Sequence, residues 1–339
     1  MKHWQETGEI LAQVASLAQA GRRAAIATVV RIRGSAYRRP GAKLLVRDDG
    51  GTSGGVSGGC LEADVRERAL AVLRGAAPHR VHYETGSDDR QVFGLGLGCN
   101  GEVDVFVQQA TTPAFLDAAR RIRECLAGDA PFAISTVLTG ARAGDVSVLA
   151  SIGGGETAID APAGYEVFTE VLRPPPRLVL FGAGDDAFPL ARYAADAGFR
   201  VAVVDHRPAF LSAERFPGQV RRLELRAEDA AASSSLPLGR DVYAIVKTHS
   251  LAHDREWVRR LVGTGVAYIG VLGPRARVEE ILRQVGAAHD GRVFGPVGLD
   301  VGAEGPEQVA MSIVAELLAV RSGRAPGHLR QREGAIHAP

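Results

Sequence analysis

At 339 residues, with 46% apolar and 23% charged residues, the chain has the make-up of an ordinary folded protein and the length for two domains, each with its own core. Forty Lys and Arg against 39 Asp and Glu leave a net charge of +1, which excludes a global field steering the chain to nucleic acid or an anionic membrane. No run reaches the roughly 18 uncharged apolar residues of a membrane span, the polar amino terminus lacks the features of a signal peptide, and three cysteines are too sparse for a disulfide framework. A cytoplasmic protein with reduced thiols is expected.

Ile10, Leu11, Val14 and Leu17 fall at helical spacing and stop at Gly21, predicting a first helix, after which Ala24–Ile32 reads as a buried strand. A short strand over Lys43–Arg47 and a polar turn to Gly51 lead into a glycine-rich loop, Gly54-Gly55-Val56-Ser57-Gly58-Gly59-Cys60. The helical pattern of Leu61–Gly75 places Cys60 at a helix start. A second loop, Phe93–Gly101 with Cys99 inside it, lies between predicted strands Val81–Glu84 and Glu102–Gln108. A helix over Pro113–Leu126 and strands around Phe132–Thr139, Val146–Ser151 and Glu166–Val171 complete an α+β domain.

Pro174-Pro175-Pro176 is a stiff linker, because consecutive prolines fix φ and cannot join a helix or a central strand. Beyond it, strands Leu178–Phe181, Phe199–Asp205, Val220–Leu225, Asp241–Thr248 and Val266–Gly273 alternate with helices that include Asp254–Leu261. That rhythm predicts a parallel doubly wound sheet, closed by a helix over Pro306–Val320. The expected fold class is α/β: an N-terminal α+β domain with Gly/Cys-rich loops over 1–173, a Rossmann-type domain over 174–325, and a disordered tail over 326–339.

Gly182-Ala183-Gly184-Asp185-Asp186-Ala187 follows a strand and opens a helix, fitting the G-x-G-x-x-G/A turn that cradles a pyrophosphate. Asp205 ends the next strand, where such folds place an acid against a ribose diol. Gly182, Gly184 and Asp205 are therefore candidate dinucleotide-binding residues, with the negative charges of Asp185 and Asp186 standing against a phosphate. Arg207 could meet a ribose phosphate. Cys60, after flexible glycines at a helix start, is a candidate exposed thiolate able to bind soft metal or carry sulfur; a small buried hydrophobe in a tight turn is the alternative. Cys99 repeats the setting, whereas Cys125 inside an amphipathic helix reads as structural. Five Arg and Lys residues from Arg31 to Lys43, with Arg31 and Arg39 among them, form a basic glycine-containing loop that can clamp phosphate or simply be solvated. His249, at the carboxyl edge of the sheet, is a candidate acid, base or metal ligand, against the alternative of a helix cap.

In these residues the chain resembles the XdhC/CoxI family of accessory factors that mature xanthine dehydrogenase and related molybdenum hydroxylases. The resemblance rests on Thr28–Arg31 with Gly34-Ser35, Arg39–Ala42, Gly58-Gly59-Cys60-Leu61-Glu62 and Gly96-Leu97-Gly98-Cys99 in the first half. In the second half it rests on Phe181–Gly184, Asp205, Thr248-His249, Gly273 with Arg275, and Gly295-Pro296 followed by Gly298–Ala303. Asn100, Ser250 and Pro274 stand where the family often has Gly, Asp and Ser. The resemblance implies a cofactor chaperone rather than a turnover enzyme. It would bind molybdenum cofactor, as molybdopterin or its nucleotide form, through the basic loop, Gly58 and Gly59, and the Rossmann turn. Cys60, Cys99 and His249 would be the catalytic residues, with Cys60 also the one at the metal. The implied partners are an apo molybdenum hydroxylase of the xanthine dehydrogenase type and a cysteine desulfurase, with no nucleic acid and no membrane; a homodimer is the general expectation for soluble oligomers. Two other readings are open: an NAD(P)-dependent oxidoreductase using the Rossmann domain, and a noncatalytic interaction protein with a vestigial nucleotide site.

Overall fold

The computed structural model describes residues 2–34, 36–84, 101–149, 156–161, 164–218, 220–229, 235–236 and 238–333. The chain is an α/β protein of two compact units, divided between Pro174 and Pro175. Among the described residues no helix is long and apolar enough to cross a membrane.

The first unit opens with α1 (Lys2–Gln19), then β1 (Ala24–Gly34), β2 (Lys43–Arg47), β3 (Thr52–Gly54), α2 (Glu62–Leu73), β4 (His79–Glu84) and β5 (Gly101–Gln109). These strands form a five-stranded antiparallel sheet in the order β3-β2-β1-β5-β4. Side chains alternate along each strand. Ala25, Ala27 and Val29 of β1 and Val103, Val105 and Val107 of β5 pack with Val65, Ala69 and Val72 of α2. The opposite face meets α1, α3 (Pro113–Ala127) and a second antiparallel sheet. That sheet runs β7-β6-β9-β8 and is made of β6 (Phe132–Val137), β7 (Val146–Leu149), β8 (Ala158–Asp160) and β9 (Val167–Leu172). A small aromatic core of Val30, Phe106, Leu138 and Phe168 lies between the sheets.

One ion pair in this unit is fully enclosed. Lys43 Nζ donates to Glu170 Oε1 and Oε2 at 2.8 and 2.6 Å and to the Gly41 carbonyl at 2.8 Å. Burial pushes the Glu170 carboxyl up, and Lys43 opposes the shift. His3, beside the pair, is held down at about 4 by burial and by the Lys43 charge.

The second unit contains β10 (Arg177–Phe181), α4 (Ala187–Asp196), β11 (Arg200–Asp205), β12 (Arg221–Glu224), β13 (Val242–Val246), α5 (Leu251–Val262), β14 (Tyr268–Val271), α6 (Arg275–Val285), β15 (Val293–Phe294) and α7 (Gly305–Ser322). Its six strands are all parallel, in the order β12-β11-β10-β13-β14-β15. Both faces are covered, so the inner strands read as continuous apolar runs. Leu178, Leu180 and Tyr268 face α4 and α7, whereas Val179, Phe181 and Ile269 face α5 and α6. The buried Tyr268 hydroxyl donates to Glu316, which also accepts from the Gly298 N–H at 3.2 Å and so staples the 295–302 loop to α7.

Several elements differ from the sequence reading. Helix α5 begins at Leu251, three residues before the expected Asp254, because Ser250 rather than a later residue caps it. β3, β8, α6 and β15 have no counterpart in that reading; β3, β8 and β15 are too short for a period of two to register. Leu329–Gln331, in the segment expected to be disordered, forms a 3-10 turn, and residues 334–339 lie outside the described residues.

Breaking the enclosed pair strands a charge, so Lys43→Met is expected to lower unfolding free energy by about 3–5 kcal/mol in urea denaturation. The double variant Lys43→Met/Glu170→Leu should recover most of that loss; equal losses in single and double variants would show that packing alone matters.

Candidate functional site

Strand β10 leads to β11 and β12 on one side of the sheet, and β13 resumes on the other, so the loops leaving β10 and β13 diverge at the carboxyl edge. Doubly wound sheets bind ligands in the crevice such a divergence leaves. Its walls here are Gly182–Asp186 and Lys247–Ser250. Gly182 has φ +115°, and a Cβ there would stand 2.4 Å from the Lys247 carbonyl oxygen. Glycine is thus demanded by the neighbouring strand as well as by any ligand. Gly184 lies beside the Asp186 carboxylate and the His249 ring, at 3.0 and 3.6 Å from the first carbon a side chain would add.

Lys247 is 1% exposed, and burial pushes its ammonium group down while Asp186 pulls it back up. It donates to Asp186 Oδ1 at 2.6 Å, and His249 Nε2 lies 3.3 Å from Asp186 Oδ2. The Asp186 carboxylate is thereby drawn away from capping α4. His249 has a 63% exposed side chain and φ +61°, uncommon for a residue with a Cβ. The position is held from behind: the Thr248 N–H and hydroxyl donate to the buried Asp254 at 2.9 and 2.6 Å, and Arg277 of α6 pairs with its second oxygen. Helix capping, the alternative for His249, belongs instead to Ser250 Oγ, which accepts from the His253 N–H.

The other acids are also engaged. Asp185 pairs with Arg215 at 2.8 Å, so the charge expected to repel a phosphate is neutralised within the chain. Asp205 ends β11 as expected, but its carboxylate accepts from the Ala183 N–H at 2.8 Å, the Arg207 N–H at 3.0 Å, and Arg207 Nε and Nη2 at 2.9 Å each. Burial favours the neutral acid, yet the Arg207 and backbone hydrogen bonds outweigh it and hold the carboxyl at about 2. Arg207 also lies over the Phe210 ring at 3.9 Å. Both Asp205 oxygens are thus occupied where a ribose diol would need them. The adjoining cleft, bounded by Asp205, Arg226, His253 and Trp257, has room for about one water molecule.

In the first unit, Cys60 is partly buried and leans on the core that holds Leu61 and Val65. Helix α2 begins two residues later, at Glu62, whose carboxylate reaches back into the loop. It accepts from the Val56 and Ser57 N–H groups at 3.2 and 2.9 Å and from the Ser57 hydroxyl, while Ser57 Oγ accepts from the Gly59 and Leu61 N–H groups at 3.0 and 3.1 Å. Gly58 and Gly59 therefore belong to a loop folded around an internal carboxylate. The basic loop is largely paired too. Arg31 meets Asp104 and Glu166 at 3.5 and 3.4 Å, Arg33 meets Glu102 at 3.2 Å, Arg38 meets Glu6, and the Arg39 carbonyl accepts from the Ala42 N–H at 3.0 Å. Cys99 and its loop over 93–100 lie outside the described residues. Among the described residues no group of three or more His, Cys, Asp or Glu side chains is placed to hold a metal ion.

The sequence reading puts Gly182, Gly184 and His249 at one edge of the sheet, where the structure has them, and it overlooks Lys247, Arg215 and Arg277. Lys247 leaves a signal, a single cation ending an otherwise apolar strand; the other two leave none, since their partners are distant in sequence.

Comparison with known proteins bears on what this arrangement serves. Residues 178–317 match the model of the XdhC Rossmann domain, and residues 17–84 match that of the XdhC and CoxI family. A Bacillus subtilis protein, named as a probable xanthine dehydrogenase component, is 33% identical over 316 residues, covering 88% of this chain and 93% of that one. The molybdenum cofactor insertion chaperone PaoD of Escherichia coli is 26% identical, covering 89% and 84%. The crystal structure of a Bacillus halodurans protein described as a xanthine dehydrogenase superposes with a TM-score of 0.78 at 28% identity, over 93% of this chain and 96% of that one.

A depressed carboxyl stabilises the fold fully above its unfolded pKa of ~3.9, and that stability is lost as pH falls toward the folded value. Arg207→Ala should therefore shift acid unfolding, followed by circular dichroism, to higher pH; an unmoved midpoint would mean that the pair is energetically idle. Glu62→Ala should release the glycine loop and speed alkylation of Cys60 by iodoacetamide several-fold, read by mass spectrometry, whereas an unchanged rate would count against the carboxylate as organiser of that loop.

Proposed function

Because the chain belongs to the XdhC and CoxI family, we propose that it is a maturation factor that binds molybdenum cofactor, supports its sulfuration and inserts it into a molybdenum hydroxylase of the xanthine dehydrogenase type. The similarity to PaoD, a molybdenum cofactor insertion chaperone, supports the cargo. The observation that carries the reading within the chain is the engagement of Asp205 by Arg207, which leaves no acceptor for the ribose diol an NAD-dependent oxidoreductase would bind.

The cargo is a phosphorylated pterin that carries a thiophilic molybdenum. The residues present fit its phosphate end. Gly182 and Gly184 bare the backbone at the start of α4, Asp185 and Asp186 are neutralised by Arg215 and Lys247, and His249 projects from the opposite wall of the crevice. Cys60 supplies the soft ligand in the first unit, and Glu62 holds the loop that carries it. Cys99 is assigned the companion role, and Arg31 and Arg39 of the first unit are further candidate cofactor-binding residues. A cysteine desulfurase supplies sulfur, and the protein acts in the cytoplasm as a homodimer.

Anaerobic reconstitution with molybdenum cofactor tests this reading by counting bound molybdenum and pterin per chain. Wild type is expected to retain both, Gly184→Leu to lose both, and Cys60→Ala to lose molybdenum ahead of pterin. A clean protein that never takes up pterin would sink the proposal. NAD or NADP should leave the melting temperature unchanged, since a ligand bound at 100 times its Kd would add about 2.7 kcal/mol.

A further inference from the structure

Helix α7 lies on the sheet through Ala310, Ile313, Val314 and Leu317, which join the core shared with α4. A helix that covers a sheet normally turns charged residues to water on its other side. Helix α6 does so with Arg275, Glu279 and Arg283. On α7 the outward positions are Gln308, Met311, Ala315, Leu318 and Ser322, with Met311 57% and Leu318 40% exposed. They recur at alternating steps of three and four residues, the spacing of a seam that packs against another helix. The charges beside the seam are sorted by sign. Glu304 and Glu307 stand at its amino end and Arg321 at its carboxyl end, all exposed. Among the described residues neither Glu307 nor Arg321 has an ion-pair partner. That order of charge suits the helix dipole, but the dipole does not account for the apolar stretch between the charges.

We propose that α7 is the two-fold interface of a homodimer, packed antiparallel against α7 of a second copy. A two-fold contact has to be self-complementary, because the same patch is presented by both copies. The seam meets that demand. With the axis beside Ala315, Met311 falls opposite Leu318 of the second copy and Glu307 opposite Arg321, and symmetry repeats each contact. Parallel pairing would instead set Glu307 on Glu307 and Arg321 on Arg321. Ala315, the smallest side chain of the seam, stands at the crossing point, where it lets the two backbones approach closely. The inference rests on the homodimer of the proposed function, gives it a surface, and is independent of the cargo.

Sedimentation velocity on the full chain across micromolar concentrations tests the surface. Wild type is expected to sediment as a dimer in exchange with monomer. Leu318→Glu should weaken dimerisation at least about tenfold while keeping the wild-type circular dichroism spectrum. Glu307→Arg and Arg321→Glu should each dimerise more weakly, since each puts like charges together in both symmetric contacts. Mixing those two variants should restore the dimer, because every such contact then joins an Arg to a Glu, an outcome that misfolded chains would not give. A wild type that stays monomeric overturns the surface and the homodimer together. A dimer indifferent to Leu318→Glu, or a mixture that dimerises no better than its components, overturns the surface alone. Uptake of molybdenum and pterin by wild type is counted separately, so failure of the cargo reading and failure of this interface are told apart.

Discussion

At the carboxyl ends of β10 and β13 two parallel strands come so close that a side chain at position 182 would strike the Lys247 carbonyl oxygen. The geometry of the crevice follows from that contact. The chain turns sharply at Gly182 into α4, and β13 delivers Lys247 into the interior just beside the turn. A buried ammonium group is costly without a counter-charge, and Asp186 provides one at the expense of capping α4. His249 is then left on the rim in a left-handed conformation, steadied from behind by Thr248, Asp254 and Arg277.

A second regularity runs through both units. Among the described residues, several cations and backbone N–H groups suited to an anion are met by a carboxylate of the chain itself: Glu62 in the cysteine loop, Asp186 and Asp185 in the crevice, Asp104 and Glu166 at Arg31, Glu170 at Lys43. Anionic cargo entering such a site exchanges one ion pair for another, which trims affinity and eases release. Under the proposed maturation role, in which cargo is passed on, that balance is more useful than the tightest grip.

Much of this architecture could be read from the residues. The strand, G-x-G-x-x-A turn, helix and strand-terminal Asp205 specify the Rossmann unit, because each is dictated by local backbone geometry and hydrophobic period. What stays hidden depends on partners far apart in the chain. The sequence places Arg207 two residues from Asp205, but only the loop conformation turns its guanidinium back onto the carboxylate. Helix α6 goes unread because Val278 and Ile281 are its only buried residues within a highly charged segment that opens at Pro274 without a side-chain cap.

Each unit draws its core from its own stretch of sequence: the clusters of the first use residues between Trp4 and Leu172, and those of the second use residues between Leu178 and Leu317. During synthesis this order matters. The central pairing of the first unit joins β1 to β5 across an intervening helix and three strands, a slow, non-local closure. Every apolar partner that closure needs has left the ribosome before the triple-proline segment emerges, so the nascent antiparallel half can finish folding before the parallel half supplies exposed strands to mispair with it.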